Sequence, residues 1–188
     1  MPDKKLKEIY ATLLNHFGAQ EWWPAKTRFE VIVGAILTQN TNWKNVEHVI
    51  NELESRDLLN PKALDEIPLD ELAPLLRRSG YFNQKAKKIK AFLDYFRAYD
   101  FSFEKLMKKD NESLREEILS IWGIGPETAD DILLYALDKP SFVIDAYTRR
   151  ILTRMGIADK NATYDELKKL FEKDLLYKGY TIQPYSPA

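Results

Sequence analysis

The chain of 188 residues contains no cysteine. That absence excludes disulfides, zinc–thiolate centres, cysteine nucleophiles and any cysteine-ligated iron–sulfur cluster. Histidine is nearly missing as well: His16 and His48 are the only two. Each falls within an amphipathic helical pattern and reads as a surface or cap residue. No Ser/His/Asp triad and no two-histidine metal site can be assembled from them. No apolar run is long enough to span a membrane, and Met1-Pro2-Asp3-Lys4-Lys5 lacks a signal-peptide core. The expectation is a soluble cytoplasmic protein with no membrane partner, nucleoid-associated if the source is prokaryotic. Neither sign of charge dominates, with 28 basic and 29 acidic side chains and a net charge of −1. That balance speaks against a protein that coats nucleic acid electrostatically, and leaves room for a local basic face. Lys85, Lys87, Lys88 and Lys90 are candidates for that face, as are Arg149, Arg150 and Arg154.

Internal repeats, low-complexity tracts and Gly/Ser linkers are also absent, so the chain reads as one unit. The apolar periodicity is helical nearly throughout. Leu6, Ile9, Tyr10, Leu13, Leu14 and Phe17 mark a first helix stopped by Gly18. Thr27-Arg28-Phe29-Glu30 reads as a capping box opening a buried helix through Leu37. A third helix runs from Asn42 to about Leu53, and Pro61, Pro68 and Pro74 punctuate shorter pieces up to Gly80. Ala86, Ile89, Phe92, Leu93 and Phe96 form one stripe on a helix over 83–96. Ser113-Leu114-Arg115-Glu116 reads as a second capping box, and Thr163-Tyr164-Asp165-Glu166 caps the last helix. Ser141-Phe142-Val143-Ile144 is too short for a sheet and has no partner strand. The fold class is all-α.

The most informative stretch is Ile121-Trp122-Gly123-Ile124-Gly125-Pro126-Glu127-Thr128-Ala129. Gly123 and Gly125 can both adopt positive φ and carry no side chain to block a ligand. Pro126 suits the first position of a helix, where its missing N–H is an orphan anyway. Free amides of the hairpin and of the helix start then form an anion site. Apolar segments on both sides, over 113–137, complete a helix-hairpin-helix that grips a phosphate without reading a base. After one amphipathic segment comes Val143-Ile144-Asp145-Ala146-Tyr147-Thr148-Arg149-Arg150, with Asp145 placed just before a further helix. Asp145 reads as an N-cap, as a catalytic carboxylate, or as both. Asp130 and Asp131 are neighbours on a helix, point different ways, and read as surface and cap residues.

This hairpin, its spacing to Asp145 and the following Tyr147-Thr148-Arg149-Arg150 resemble the helix-hairpin-helix DNA glycosylases of the endonuclease III superfamily. Gly34-Ala35-Ile36-Leu37-Thr38-Gln39-Asn40-Thr41 resembles the first barrel helix and glutamine loop of that family. Ser79-Gly80-Tyr81-Phe82-Asn83-Gln84-Lys85-Ala86 resembles its Gly-x-x-Asn-x-Lys-Ala turn. Glu21-Trp22-Trp23-Pro24 and Thr41-Asn42-Trp43 look closest to the 3-methyladenine branch, which lacks an iron–sulfur cluster. The resemblance implies two helical lobes flanking a cleft. One lobe would span about 28–137, the other 1–27 plus 138–188, with Asp145 at the mouth between them. The segment Lys178–Ala188 is turn-rich and departs from the family, whose chains continue with further helices; a shortened second lobe is expected.

The resemblance also assigns roles. Trp122, Gly123, Ile124, Gly125 and Thr128 would hold the phosphate, with Arg149 and Lys85 as further DNA contacts and a monovalent cation at the hairpin carbonyls. Gln39 and Tyr81 would fill the gap left by a flipped nucleotide. Otherwise, Gln39 is a helix C-terminal hydrogen-bonding residue and Tyr81 a loop aromatic on the core. Trp22, Trp23 and Trp43 would line the base pocket; otherwise Trp22 and Trp23 pack at the lobe junction and Trp43 is a partly buried helix residue. Asp145 would support positive charge on the sugar. Glu127 stands where bifunctional relatives carry a Schiff-base lysine, so a monofunctional hydrolase is expected; as a plain first-turn acid it would suit the helix dipole. The partner would be double-stranded DNA holding a damaged base, an alkylated purine such as 3-methyladenine, bound by a monomer without a metal. Oxidised or mismatched bases, or a catalytically silent helix-hairpin-helix module, are the alternatives.

Overall fold

The computed structural model describes residues 2–18 and 23–173, and among them there are helices and turns but no strand. Trp22 and the segment 178–188 lie outside the described residues. The helices are α1 (Pro2–Phe17), α2 (Arg28–Thr38), α3 (Trp43–Ser55), α4 (Pro61–Glu66), α5 (Leu69–Leu75), α6 (Phe82–Arg97), α7 (Phe103–Met107), α8 (Asn111–Ser120), α9 (Pro126–Asp131), α10 (Ala146–Arg154) and α11 (Tyr164–Glu172). A 3₁₀ turn, Arg77–Ser79, precedes α6, and a π-helical turn, Ile132–Ala136, continues α9.

The apolar side chains fall into two separate cores. The larger draws on residues from Phe29 to Leu137. Its axis is α2, buried on every side from Phe29 to Leu37, the pattern of a helix enclosed by others. Helices α3, α6 and α9 and the π turn pack around it. The smaller core joins Leu6, Ile144, Leu152, Leu167 and Phe171. Phe142 stacks flat on Phe171, with ring centroids 4.0 Å apart.

Local sequence chemistry explains most boundaries. Thr163 and Glu166 form a reciprocal capping box on α11. At α2 the box is half made: Thr27 accepts from the Glu30 amide, but the Glu30 carboxylate accepts from Lys26 N–H at 2.8 Å. The first helix forms as expected and ends before Gly18, whereas two expectations, on α8 and on the second hairpin helix, need correction. Helix α8 opens at Asn111, because Asp110 accepts from the Ser113 amide and caps one turn earlier. The second hairpin helix is not uniform: α9 gives way to the π turn after Asp131, a distortion often found at functional sites. In α1 Leu6 is buried, whereas Leu13, Leu14 and Phe17 are 51%, 42% and 61% exposed.

Residues 138–145 link the two cores without secondary structure of their own. Side chains hold them instead. Arg28 bonds Asp138 at 2.5 Å, Asn111 donates to Pro140 O at 2.8 Å, and Glu172 accepts from the Phe142 amide at 3.1 Å. A buried polar backbone must find such partners or lose stability.

Candidate active site

The hairpin between α8 and α9 projects Trp122, which is 56% exposed. Gly123 has φ +83°, and a Cβ there would lie 2.5 Å from Cγ of Lys88. Both facts demand glycine. Gly125 differs from expectation: its φ is −96°, a conformation open to any residue. A Cβ on Gly125 would meet no protein atom within 4 Å. What its missing side chain leaves open is the space over its own backbone, at the N-cap of α9. Among the described residues, the amides of Trp122, Gly123 and Gly125 donate to no protein acceptor. Together with the first turn of α9 they form a donor patch suited to a phosphate. Two expected phosphate contacts face the other way. Ile124 is buried and its amide donates to Ile121 O at 3.1 Å. Thr128 is buried and its hydroxyl accepts from Gln39 Nε2 at 2.9 Å.

Two turns meet this hairpin. Gln39 closes α2. Its amide bonds Thr128 and, at 3.4 Å, Gly123 O, and Lys88 donates to its oxygen. Its partners therefore lie on the hairpin and its following helix and on α6, not at the α2 C-terminus. Tyr81 sits at φ +46°, a rare left-handed position for a bulky side chain, and is 71% exposed. It does not pack on the core. Gln39, Tyr81 and Trp122 border one open cleft of about 260 Å³. Lys85, expected to touch DNA, is instead 2% exposed. Its ammonium donates to Leu37 O at 2.8 Å and Ser79 O at 2.5 Å, joining the ends of both turns from beneath. Two carbonyls lacking helical partners need such a donor more than solvent does. Lys90 is likewise turned inward, onto the carbonyls of Leu64 and Asp65. Of the four lysines proposed as a basic face, Lys87 alone is exposed.

Asp145 is the N-cap of α10, accepting from the Thr148 amide at 2.6 Å. This cap fixes the carboxylate in orientation. Glu127 and Asp131, one turn apart on α9, share its electrostatic neighbourhood. Partial burial, then the charge of Asp145, raises the Glu127 carboxyl above its ordinary range. Asp131 is pushed well above, by burial first and then by Glu127, Asp130 and Asp145. Tyr135 stands one further turn along the same face. Burial, Asp131 and Asp145 push its phenol up to about 12. The Trp23 ring lies 5.2 Å from Tyr135 and 5.8 Å from Trp43. Gly34 lets α2 pass beneath both indoles; a Cβ there would sit 3.4 Å from Trp23 and 3.7 Å from Trp43. The result is an aromatic wall whose phenol lies in the electrostatic field of Asp131 and Asp145. Trp23 Nε1 is buried in it without an acceptor.

Sequence reasoning missed Tyr135 and misread the adjacent aspartates. The spacing 127, 131, 135 on one helical face was the available signal for Tyr135. Asp130 is fully buried and bonded to Arg115, Lys168 and Ser141, neither surface nor cap. Asp131 faces the other carboxylates. Arg149, expected on DNA, donates to Ala162 O within the second core region. Arg150 lies over the exposed Tyr147 ring at 4.7 Å. Among the described residues no group of acidic or histidine side chains is arranged to hold a metal ion.

Comparison with known proteins fits this arrangement. A protein of Methanocaldococcus jannaschii, provisionally named a DNA repair glycosylase, is 49% identical over 180 residues, covering 92% of this chain and 82% of that one. The structure of Helicobacter pylori 3-methyladenine DNA glycosylase bound to 1,N6-ethenoadenine superposes with a TM-score of 0.78 at 32% identity, covering 97% and 89% of the two chains. A trapped endonuclease III–DNA covalent intermediate superposes at 0.76 with 20% identity, covering 91% and 77%, and shows the shared fold. The family model described as the HhH-GPD superfamily of base excision DNA repair proteins matches residues 33–175. The chain belongs to that superfamily, the helix-hairpin-helix DNA repair glycosylases.

Proposed function

We propose that the protein is a monofunctional DNA N-glycosylase that removes an alkylated purine, such as 3-methyladenine, from duplex DNA. The observation that carries this reading is Asp145, oriented by its own helix cap, together with an aromatic wall of Trp23, Trp43 and Tyr135 whose phenol feels the Asp145 charge. The free amides of the hairpin take the phosphate of the damaged strand. Tyr81 enters the space that the flipped nucleotide vacates, with Gln39 beside it. The base enters against the aromatic wall. Ring alkylation makes such a base cationic, and an electron-rich aromatic face attracts it by about 0.5–2 kcal/mol. A cationic base is already a good leaving group, so histidine is not needed to protonate it.

As the N-glycosidic bond breaks, its electron pair goes to the base and positive charge spreads over the sugar. Asp145 opposes that charge and accepts a proton from the water that attacks C1′. Glu127 offers no amine, so no Schiff base forms at its position. Gly123 O and Ile121 O each already accept one hydrogen bond, from Gln39 and Ile124. Each keeps a second lone pair that suits a monovalent cation. The protein would act as a monomer on double-stranded DNA.

The test is to incubate the protein with methylated duplex DNA and chromatograph what is released, with a borohydride trap alongside. Release of methylated purines without a covalent adduct is expected. Release of thymine glycol but no methylated purine would refute the substrate assignment. A trapped adduct would refute the monofunctional one.

A further inference from the structure

We propose that Asp130 is a positioning residue for base release, fixing the segment that carries Asp145; this rests on the glycosylase reading above. Asp130 is completely buried in α9. Its carboxylate gathers donors from three separate parts of the chain. Arg115 of α8 donates through Nε at 2.9 Å and Nη2 at 3.1 Å. Lys168 of α11 donates at 2.9 Å, and Ser141 of the linking segment at 2.8 Å. The Tyr164 phenol of α11 lies within its electrostatic reach.

Two of these groups act on the segment that carries Asp145. Ser141 belongs to it and is 1% exposed. The Tyr164 oxygen accepts, at 3.3 Å, the amide of Ile144, the residue directly before Asp145. Lys168 also pairs with Glu172 at 2.6 Å, and Glu172 holds the Phe142 amide. Residue 141 is thus tied to this carboxylate directly and residue 142 through Glu172 and Lys168, while residue 144 is tied to Tyr164, one turn before Lys168 on α11. Nothing periodic holds this segment, so its geometry depends on these bonds. Asp145 caps α10 from its end, so a shift of the segment moves both the carboxylate and its cap. Two cations pair with Asp130. A buried charge so paired is costly to disturb and specifies one arrangement over others.

The test compares Asp130→Asn, Ser141→Ala and Tyr164→Phe with the wild type. Three readouts are taken: the single-turnover rate of base release, affinity for abasic-site DNA, and amide exchange over 141–148. Tyr164→Phe removes one hydroxyl and keeps the ring in place. It should slow base release about tenfold, the usual worth of one well-placed hydrogen bond. Asp130→Asn should slow it about a hundredfold, as a misplacement near 1 Å can. Abasic-site affinity should change less than about threefold, because the hairpin amides are untouched. Exchange over 141–148 should quicken while that of α8 is unchanged. Should Asp130→Asn fail to fold, the two milder variants carry the test. Rates within twofold of wild type for both, with unchanged exchange, would overturn the proposal. A wild type that releases no base would instead refute the glycosylase reading, and amide exchange would still decide whether Asp130 fixes this segment.

Discussion

Lys85→Met replaces a buried ammonium with an apolar chain of similar length. In the native protein that ammonium bonds Leu37 O and Ser79 O, the ends of the turns bearing Gln39 and Tyr81. The variant leaves two carbonyls without donors, at roughly 1–3 kcal/mol each. It also relieves the desolvation of a buried charge, which offsets part of that loss. A net destabilisation of about 2 kcal/mol is expected from urea unfolding at pH 7. The sign of the pH dependence is a sharper check. Burial, reinforced by the Lys88 charge, lowers the Lys85 pKa from 10.5 to about 8. Between those values the unfolded chain binds more protons than the native one, so native stability rises with pH. The stability gap between wild type and Lys85→Met should therefore widen from about pH 8 upward. A gap that narrows over that range, or a loss below about 0.5 kcal/mol at pH 7, would refute the reasoning. Looser turns should also lower base release more than abasic-site binding.

The two hairpin glycines should part company on substitution. Gly125→Ala should leave stability within about 0.5 kcal/mol, since its backbone is ordinary and its Cβ meets nothing, yet weaken DNA binding by crowding the phosphate. Gly123→Ala should cost about 1–3 kcal/mol by thermal melting, because it combines positive φ with a clash on Lys88. Tyr81→Ala should slow base release at least about tenfold with little change in melting temperature, given an exposure of 71%. Trp43→Ala should depress release of methylated purines far more than abasic-site affinity; an equal fall in both would make Trp43 structural.

The helices were legible from apolar periodicity, and the α11 capping box from four residues. The hairpin and Asp145 were legible as well, because glycine, proline and a capping carboxylate act locally. What escaped was set by distant partners. Whether Asp130 or Asp131 turns inward depends on where α11 brings Lys168, which no local pattern encodes. Lys85 looked like a surface lysine until the ends of α2 and the 3₁₀ turn supplied two carbonyls for it. Tyr135 drew no attention in the sequence, and only packing brings its phenol into the field of Asp145. At α8 two caps competed within four residues, and Asp110 prevailed over Ser113.

The central claim is that Asp145 opposes charge on the sugar of a flipped alkylated nucleotide. Asp145→Asn keeps the size and the capping oxygen of the side chain and removes its charge. Single-turnover release of methylated purine from duplex DNA measures the consequence directly, with abasic-site affinity as the control. The account predicts that release falls by at least about a hundredfold while affinity changes only slightly. Release by the variant at a near wild-type rate would contradict it.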